Sequence, residues 1–266
     1  MMSPPLPGRA PSPRSCQLAV LAALSLSLLG MVAAWASAET RMLDGVPVWA
    51  KPAKFALSFA VMFGTLSLVA RRLSPEWRDS RTLRATVAVM AAAMIFEMAY
   101  MIVMAARQEA SHFNVATPFT AMMYSLMGLG AVSLMVGVLV FGVVTLRDAT
   151  ADFGPALRWG VGWGFVQSFA ATLVTAGYMS SAGTHVGVVP DGAATLPLLG
   201  WSGAVGDIRP AHFLALHAMQ VLPLAGFLFD RFGVGVRRMR WVAAAYAALT
   251  AAVFAQATGG MPLLRL

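Results

Sequence analysis

Cysteine is almost missing from this chain: Cys16 is the only one in 266 residues. An intrachain disulfide is excluded, and so is a metal cage built on thiolates. Cys16 precedes the first apolar run instead of closing it, so it reads as an inert thiol and not as a lipidated cysteine. Charge is scarce as well. Asp, Glu, Lys and Arg supply 11% of the residues, against about a quarter in soluble domains. A water-soluble surface needs more. Lysine is confined to Lys51 and Lys54, at the start of one apolar run. That excludes a retinal-type Schiff base on a late helix. No Gly-x-x-x-x-Gly-Lys loop exists. The glycines of 159–164 have the wrong spacing for a dinucleotide fingerprint and follow no strand. Nucleotides and nucleic acids are therefore not expected as partners.

What the chain has instead is apolar length. Hydrophobic residues make up 59% of it, gathered into runs near the ~20 residues that cross a bilayer as helix. The reading is an all-α, polytopic transmembrane helix bundle. Its seven spans fall at about 16–37, 54–70, 85–106, 118–145, 159–179, 210–229 and 241–258. Residues 1–15 are Pro-rich and are expected to form a disordered cytoplasmic tail, with 16–266 as a single bundle. The stretch 1–38 also carries the basic start, apolar middle and small-x-small end of a signal peptide. It is read as a retained first span; cleavage would leave six.

Orientation comes from the basic residues. With the N-terminus inside, thirteen of the nineteen Lys and Arg fall on the inner side, five of them in 71–84. This positive-inside bias predicts an inner membrane protein with a cytoplasmic N-terminus and a periplasmic C-terminus. It also makes anionic lipid heads the expected partners of the inner arginines. Ala243, Ala247, Ala251 and Ala255 form a small-residue ridge on the last span, suited to close helix packing or a homodimer.

Helix starts are marked by Thr117-Pro118 and by Pro210, and Pro223 should kink the sixth span. The segment 181–209 is a long Gly/Pro-rich loop of the kind that forms lids. Methionines at 90, 94, 98, 101 and 104 read as packing before they read as soft-metal ligands.

Polar side chains inside the spans are few and gather towards one end. At ~1.5 Å per residue, Glu97 lies about 15 Å below Arg107, and Gln220 about 15 Å below Pro210. Tyr100 and His217 lie about 10 Å down. Glu97, Tyr100 and Arg107 share one helix face, and His217 and Gln220 share another. The expectation is an outward-open cup. Glu97 and His217 face each other at its core, Arg107, Tyr100 and Gln220 hold a cofactor or solute, and His112, His212 and His217 are the metal ligands. The helix N-termini at Pro118 and Pro210 bring partial positive charge to the rim, which should keep nearby histidines neutral.

Three functions fit that set. The first is a membrane redox component holding haem or a divalent metal, with Glu97 as proton carrier. The second is a transporter of a small solute, protons or a metal ion. The third is an intramembrane lipid hydrolase with a three-histidine zinc and Glu97 as base. His212 and His217 are five apart, about 140° around a helix, so a second ligand beside either must come from another element.

Overall fold

The computed structural model describes residues 13–43, 45–197 and 199–266. The tail expected over 1–15 therefore falls, for 1–12, outside the described residues. Regular structure is almost all helical. Helix α1 is Pro13–Ala38, α2 Ala50–Ala70, α3 Pro75–Arg78, α4 Arg81–Ala106, α5 Pro118–Arg147, α6 Pro155–Ala182, α7 Arg209–Arg231 and α8 Val236–Thr258. Two short antiparallel ladders interrupt them: β1 (Met42–Leu43) with β2 (Val46–Pro47), and β3 (His185–Val186) with β4 (Gly206–Asp207).

Among the described residues, six helices, α1, α2, α4, α5, α7 and α8, are long and apolar enough to cross a membrane. The protein is an all-α, multi-pass membrane helix bundle. Six of the seven expected spans meet both requirements. The remaining one, α6, forms a helix of 28 residues where it is expected but is not apolar enough. The reason lies in its sequence. Gln167, Ser168, Thr172 and Thr175 put polar groups along a helix that is also diluted by glycine.

Thr117, the start signal of the fourth expected span, caps α5 by accepting from Thr120 N at 3.1 Å. Ser80 caps α4 by accepting from Leu83 N at 3.2 Å, ahead of the start expected near 85. Helix α7 starts differently from the simple Pro-at-N1 pattern. Its cap position, Ile208, has no side-chain acceptor, and the Asp207 carboxylate accepts from Arg209 N instead. Pro223 sits inside α7 without ending it.

The chain divides into two compact units. The first holds α1 to α4, α5 up to Gly137, and residues 148–152. In it α1 packs on α2 and α4, and α2 packs on α4. The methionines of α4 at 90, 94, 98, 101 and 104 are all buried, which fits packing. Met94 sulfur accepts from Ser25 Oγ, and Met90 fills the space opposite Gly137. Arg41 pairs with Glu39 and donates to Ala106 O at 2.9 Å, which ties the β1–β2 hairpin to the end of α4.

The second unit holds Val138–Arg147 of α5 and everything from Phe153 onward. Its spine is the seam between α6 and α7, where small residues let the backbones approach. Gly160 and Gly164 lie against Leu222 and Ala218, and Gly226 lies against Ala156. Asp230, in the last turn of α7, accepts from Ala156 N at 3.0 Å and Leu157 N at 2.8 Å. A carboxylate thereby closes the N-terminus of α6, where orphan N–H groups and the helix dipole both favour it. Of the alanine ridge on α8, Ala243 is buried within this unit, while Ala247, Ala251 and Ala255 are exposed.

Candidate functional site

Each unit carries its own polar cluster. In the first, Glu97 is buried to 2% exposure in the middle of α4. Its Oε1 accepts no hydrogen bond from the described residues. Space for the carboxylate comes from Gly130 of α5: a Cβ placed there would stand 2.7 Å from Oε1. Lys51, in the first turn of α2, supplies an opposite charge that acts electrostatically on Glu97 and also on His112. One turn along α4 from Glu97, the buried Tyr100 hydroxyl likewise has no hydrogen bond with the described residues. Both atoms lie on one helix face of α4 without a hydrogen-bond partner among the described residues.

His112 lies in the loop between α4 and α5. That loop holds two non-glycine residues in left-handed backbone, Gln108 at φ 59° and Phe113 at φ 58°. Such a conformation costs free energy unless surrounding contacts hold it. Here the Phe113 ring packs 5.3 Å from Tyr124, and Gln108 donates to Met42 O at 2.7 Å. The His112 ring is left against Phe55 at 5.4 Å and Tyr124 at 6.4 Å, with Ser111 Oγ 3.1 Å from Nδ1.

Burial, and after it the charge of Lys51, push the His112 imidazole down to about 3. The consequence for stability has a definite sign. Between about 6.5 and 3 the unfolded chain binds a proton that the folded loop refuses. Stability is therefore complete above about 6.5 and declines as pH falls below it. At about pH 5 the loss should reach about 2 kcal/mol. Unfolding of the detergent-solubilised protein at about pH 7.5 and about pH 5 measures it, and the difference should be smaller in His112→Asn by about that amount. A pH dependence unchanged in His112→Asn would assign the titration to another group.

The second unit's cluster is carried by α6 and α7, with His212 on the side of α7 that meets α6 and His217 beside Phe213. Ser168, Thr172 and Thr175 follow one another at helical spacing on α6. Ser168 Oγ donates to Leu216 O at 3.0 Å, and Thr175 Oγ1 donates to Ala171 O at 2.9 Å. His212 Nδ1 lies 2.9 Å from the same hydroxyl. His217 Nδ1 lies 2.8 Å from Phe213 O, a carbonyl that can only accept. The His217 ring also stacks on Phe213, with centroids 3.9 Å apart. The His217 Nδ1–H is thus directed at a carbonyl, which leaves Nε2 as the free edge of the ring. Gln220 is half-buried one turn beyond His217.

The long loop of this unit is pinned down. The buried Asp207 carboxylate accepts from Arg209 and from Ser202 N at 2.9 Å. His185 Nε2 lies 3.6 Å from it. Burial alone would raise the Asp207 carboxyl, but the Arg209 and backbone hydrogen bonds outweigh it and hold it below its usual value. Arg209 also donates to Gly200 O at 2.7 Å and lies 3.1 Å from His185 Nε2, so one arginine fastens the beginning and the later part of the loop to the start of α7.

Glu97, Tyr100, Arg107 and His112 belong to the first unit, and His212, His217 and Gln220 to the second. Arg107 is exposed and paired with Glu109 at 2.8 Å. Among the described residues, no three His, Cys, Asp or Glu side chains gather as a group able to hold a metal. Lys51 and Gly130 complete the surroundings of Glu97, and sequence reasoning passes over both. Lys51 reads there only as one of two lysines at the start of an apolar run. Gly130 is one glycine among many, and nothing in the sequence pairs it with Glu97. No protein-family model matches the chain, and neither a curated protein nor a solved structure matches it.

Proposed function

We propose that this is a proton-coupled membrane transporter in which Glu97 takes up and releases the proton. One observation carries the reading: a carboxyl group mid-way along a membrane-length helix, 2% exposed, with Oε1 accepting no hydrogen bond from the described residues. Intramembrane carboxyls are expensive and mark ion and proton paths. A carboxyl locked into a full set of hydrogen bonds would be helix glue. One held loosely against a glycine, under the influence of an ammonium, can exchange a proton with little rearrangement. Proteoliposomes containing a pH-sensitive dye test this: the wild type should pass protons under an imposed potential, and Glu97→Gln should not. Equal proton flux in the two proteins would sink the reading.

A second reading, a haem- or metal-binding redox component, is favoured by the state of His217. Its Nδ1–H is fixed by Phe213 O, which turns the basic Nε2 into a ligand atom of the kind metal-binding histidines present. An absorption spectrum with metal analysis of the purified protein decides it. A Soret band or stoichiometric metal would support this reading over transport.

For orientation, the distribution of basic residues supports an inner membrane protein with the 71–84 segment cytoplasmic and the 181–209 segment periplasmic. Alkaline-phosphatase fusions should be silent at Asp79 and active at Asp191. The reverse pattern would invert the topology.

A further inference from the structure

We propose that the arginine-bearing end of α8 is a binding site for the headgroup of an anionic phospholipid. Arg237, Arg240, Trp241 and Ala244 line a groove of about 350 Å³. Their spacing places them on one face of the first two turns of α8. The small Ala244 leaves room at the bottom of the groove, and the two guanidinium groups and the indole form its walls. Arg240 is held in place, its guanidinium carbon 5.0 Å from the centroid of the Trp159 ring. Trp159 is in turn stacked on Trp163, with centroids 5.3 Å apart. That stack covers one face of the Arg240 plane and leaves the N–H edge to donate.

Both guanidinium groups want an acid, and the unit does not supply one. Neither makes a hydrogen bond or ion pair with the described residues. The acidic residues of the second unit are Asp191, Asp207 and Asp230. Asp230, the one next in sequence to α8, is committed to the N-terminus of α6, and Asp207 is committed to Arg209. Two unpaired guanidinium forks on one groove fit a phosphodiester, whose two free oxygens accept from both.

The position of the groove names the source of that phosphate. It opens at the arginine-bearing end of α8, a helix long and apolar enough to cross a membrane. Trp241 is 71% exposed. An indole exposed at the end of a membrane-length helix lies where headgroups lie, its ring among glycerol and upper acyl carbons and its N–H towards polar atoms. A lipid anchored there would lay its chains along the exposed side of α8 past Leu249, itself half-exposed. A net negative headgroup is required, because a zwitterionic one would bring its own cation against Arg237 and Arg240.

Native mass spectrometry of the purified protein, titrated with phosphatidylglycerol or phosphatidylcholine, tests the site. The wild type should retain one phosphatidylglycerol that resists removal and no phosphatidylcholine. Arg237→Gln/Arg240→Gln should weaken that retention about tenfold or more, since each basic residue at the surface contributes to anionic-lipid attraction. Wild-type retention in the double variant would overturn the proposal, as would equal retention of phosphatidylcholine. Displacement of the lipid by millimolar inorganic phosphate would also overturn it, making the ligand a free anion. Should the glutamine pair fail to fold, Arg237→Lys/Arg240→Lys keeps the charge and removes the forks. Weakened retention in the lysine pair is expected, and unweakened retention would overturn the fork geometry.

Discussion

Glu97→Gln is expected to stop proton movement through the protein while leaving its fold as stable as the wild type, or more stable. The two halves of that expectation come from one geometry. A charged carboxylate at the middle of a membrane helix costs about 2.5 kcal/mol or more. Here Oε1 collects no hydrogen bond from the described residues in return. Glutamine keeps the shape, still fits the space opposite Gly130, and removes the charge. A residue kept for structure should lose stability when replaced. A residue kept for function against its own cost should lose activity and gain stability. Proton flux in proteoliposomes should fall about tenfold or more, as expected on losing the exchanging group, roughly 1.4 kcal/mol per tenfold step. Unfolding in detergent should shift to equal or higher denaturant. Gly130→Ala should give a milder version of the loss, because its Cβ would meet Oε1 at 2.7 Å and displace a flexible side chain with no backbone movement. Retained flux would remove Glu97 from the mechanism. Lost flux together with lost stability would return it to the role of helix glue.

Much of the scaffold is legible in the order of residues alone. The apolar runs place all seven long helices, because a membrane helix is specified by length and hydropathy more than by partners. Thr117 caps where a hydroxyl ahead of a proline-started helix should cap. Glu97 stands out for the same reason, since burying a carboxyl is rare enough to be a signal by itself. Partnership is what the residue order hides. Lys51 and Glu97 are 46 positions apart, and Gly130 is a further 33 along. Helix pairing, which no periodicity encodes, brings them into one unit. The same limit applies to α6. Its glycines signal close packing, but its polar side chains are explained only by what they meet: Leu216 O for Ser168, the His212 ring for Thr175, and Ala243 O for Gln167. The loop from 183 to 208 is legible as long and is open to reading as a lid. Its anchoring by Asp207 and Arg209 depends on a carboxylate and a guanidinium two residues apart. That short pattern gains its meaning only when Gly200 and Ser202 fold back onto it.

The seam between α6 and α7 carries the other large expected effect. Gly226→Ala and Gly160→Ala should each destabilise the second unit by about 1–3 kcal/mol, the usual range for overpacking. A Cβ at Gly226 would stand 2.5 Å from Ala156 O, and one at Gly160 would press on Leu222 O. Both obstacles are backbone carbonyls of packed helices, so relief requires the helices themselves to separate. Separation would lengthen the Ser168–Leu216 hydrogen bond and the Thr175–His212 contact that cross the same seam. Alanine is otherwise the better helix former, by about 1 kcal/mol over glycine. Gly177, on the same α6, supplies the control, since a Cβ there meets nothing within 4 Å. Gly177→Ala should therefore be neutral or stabilising, while the same chemical change at Gly226 or Gly160 is destabilising. The two seam variants combined should cost less than their sum, because helices already pushed apart by one methyl make room for the next. Denaturant unfolding of the wild type and these variants in one detergent gives the comparison. If Gly226→Ala and Gly177→Ala unfold alike, the backbones of α6 and α7 are not in the close contact that orders His212.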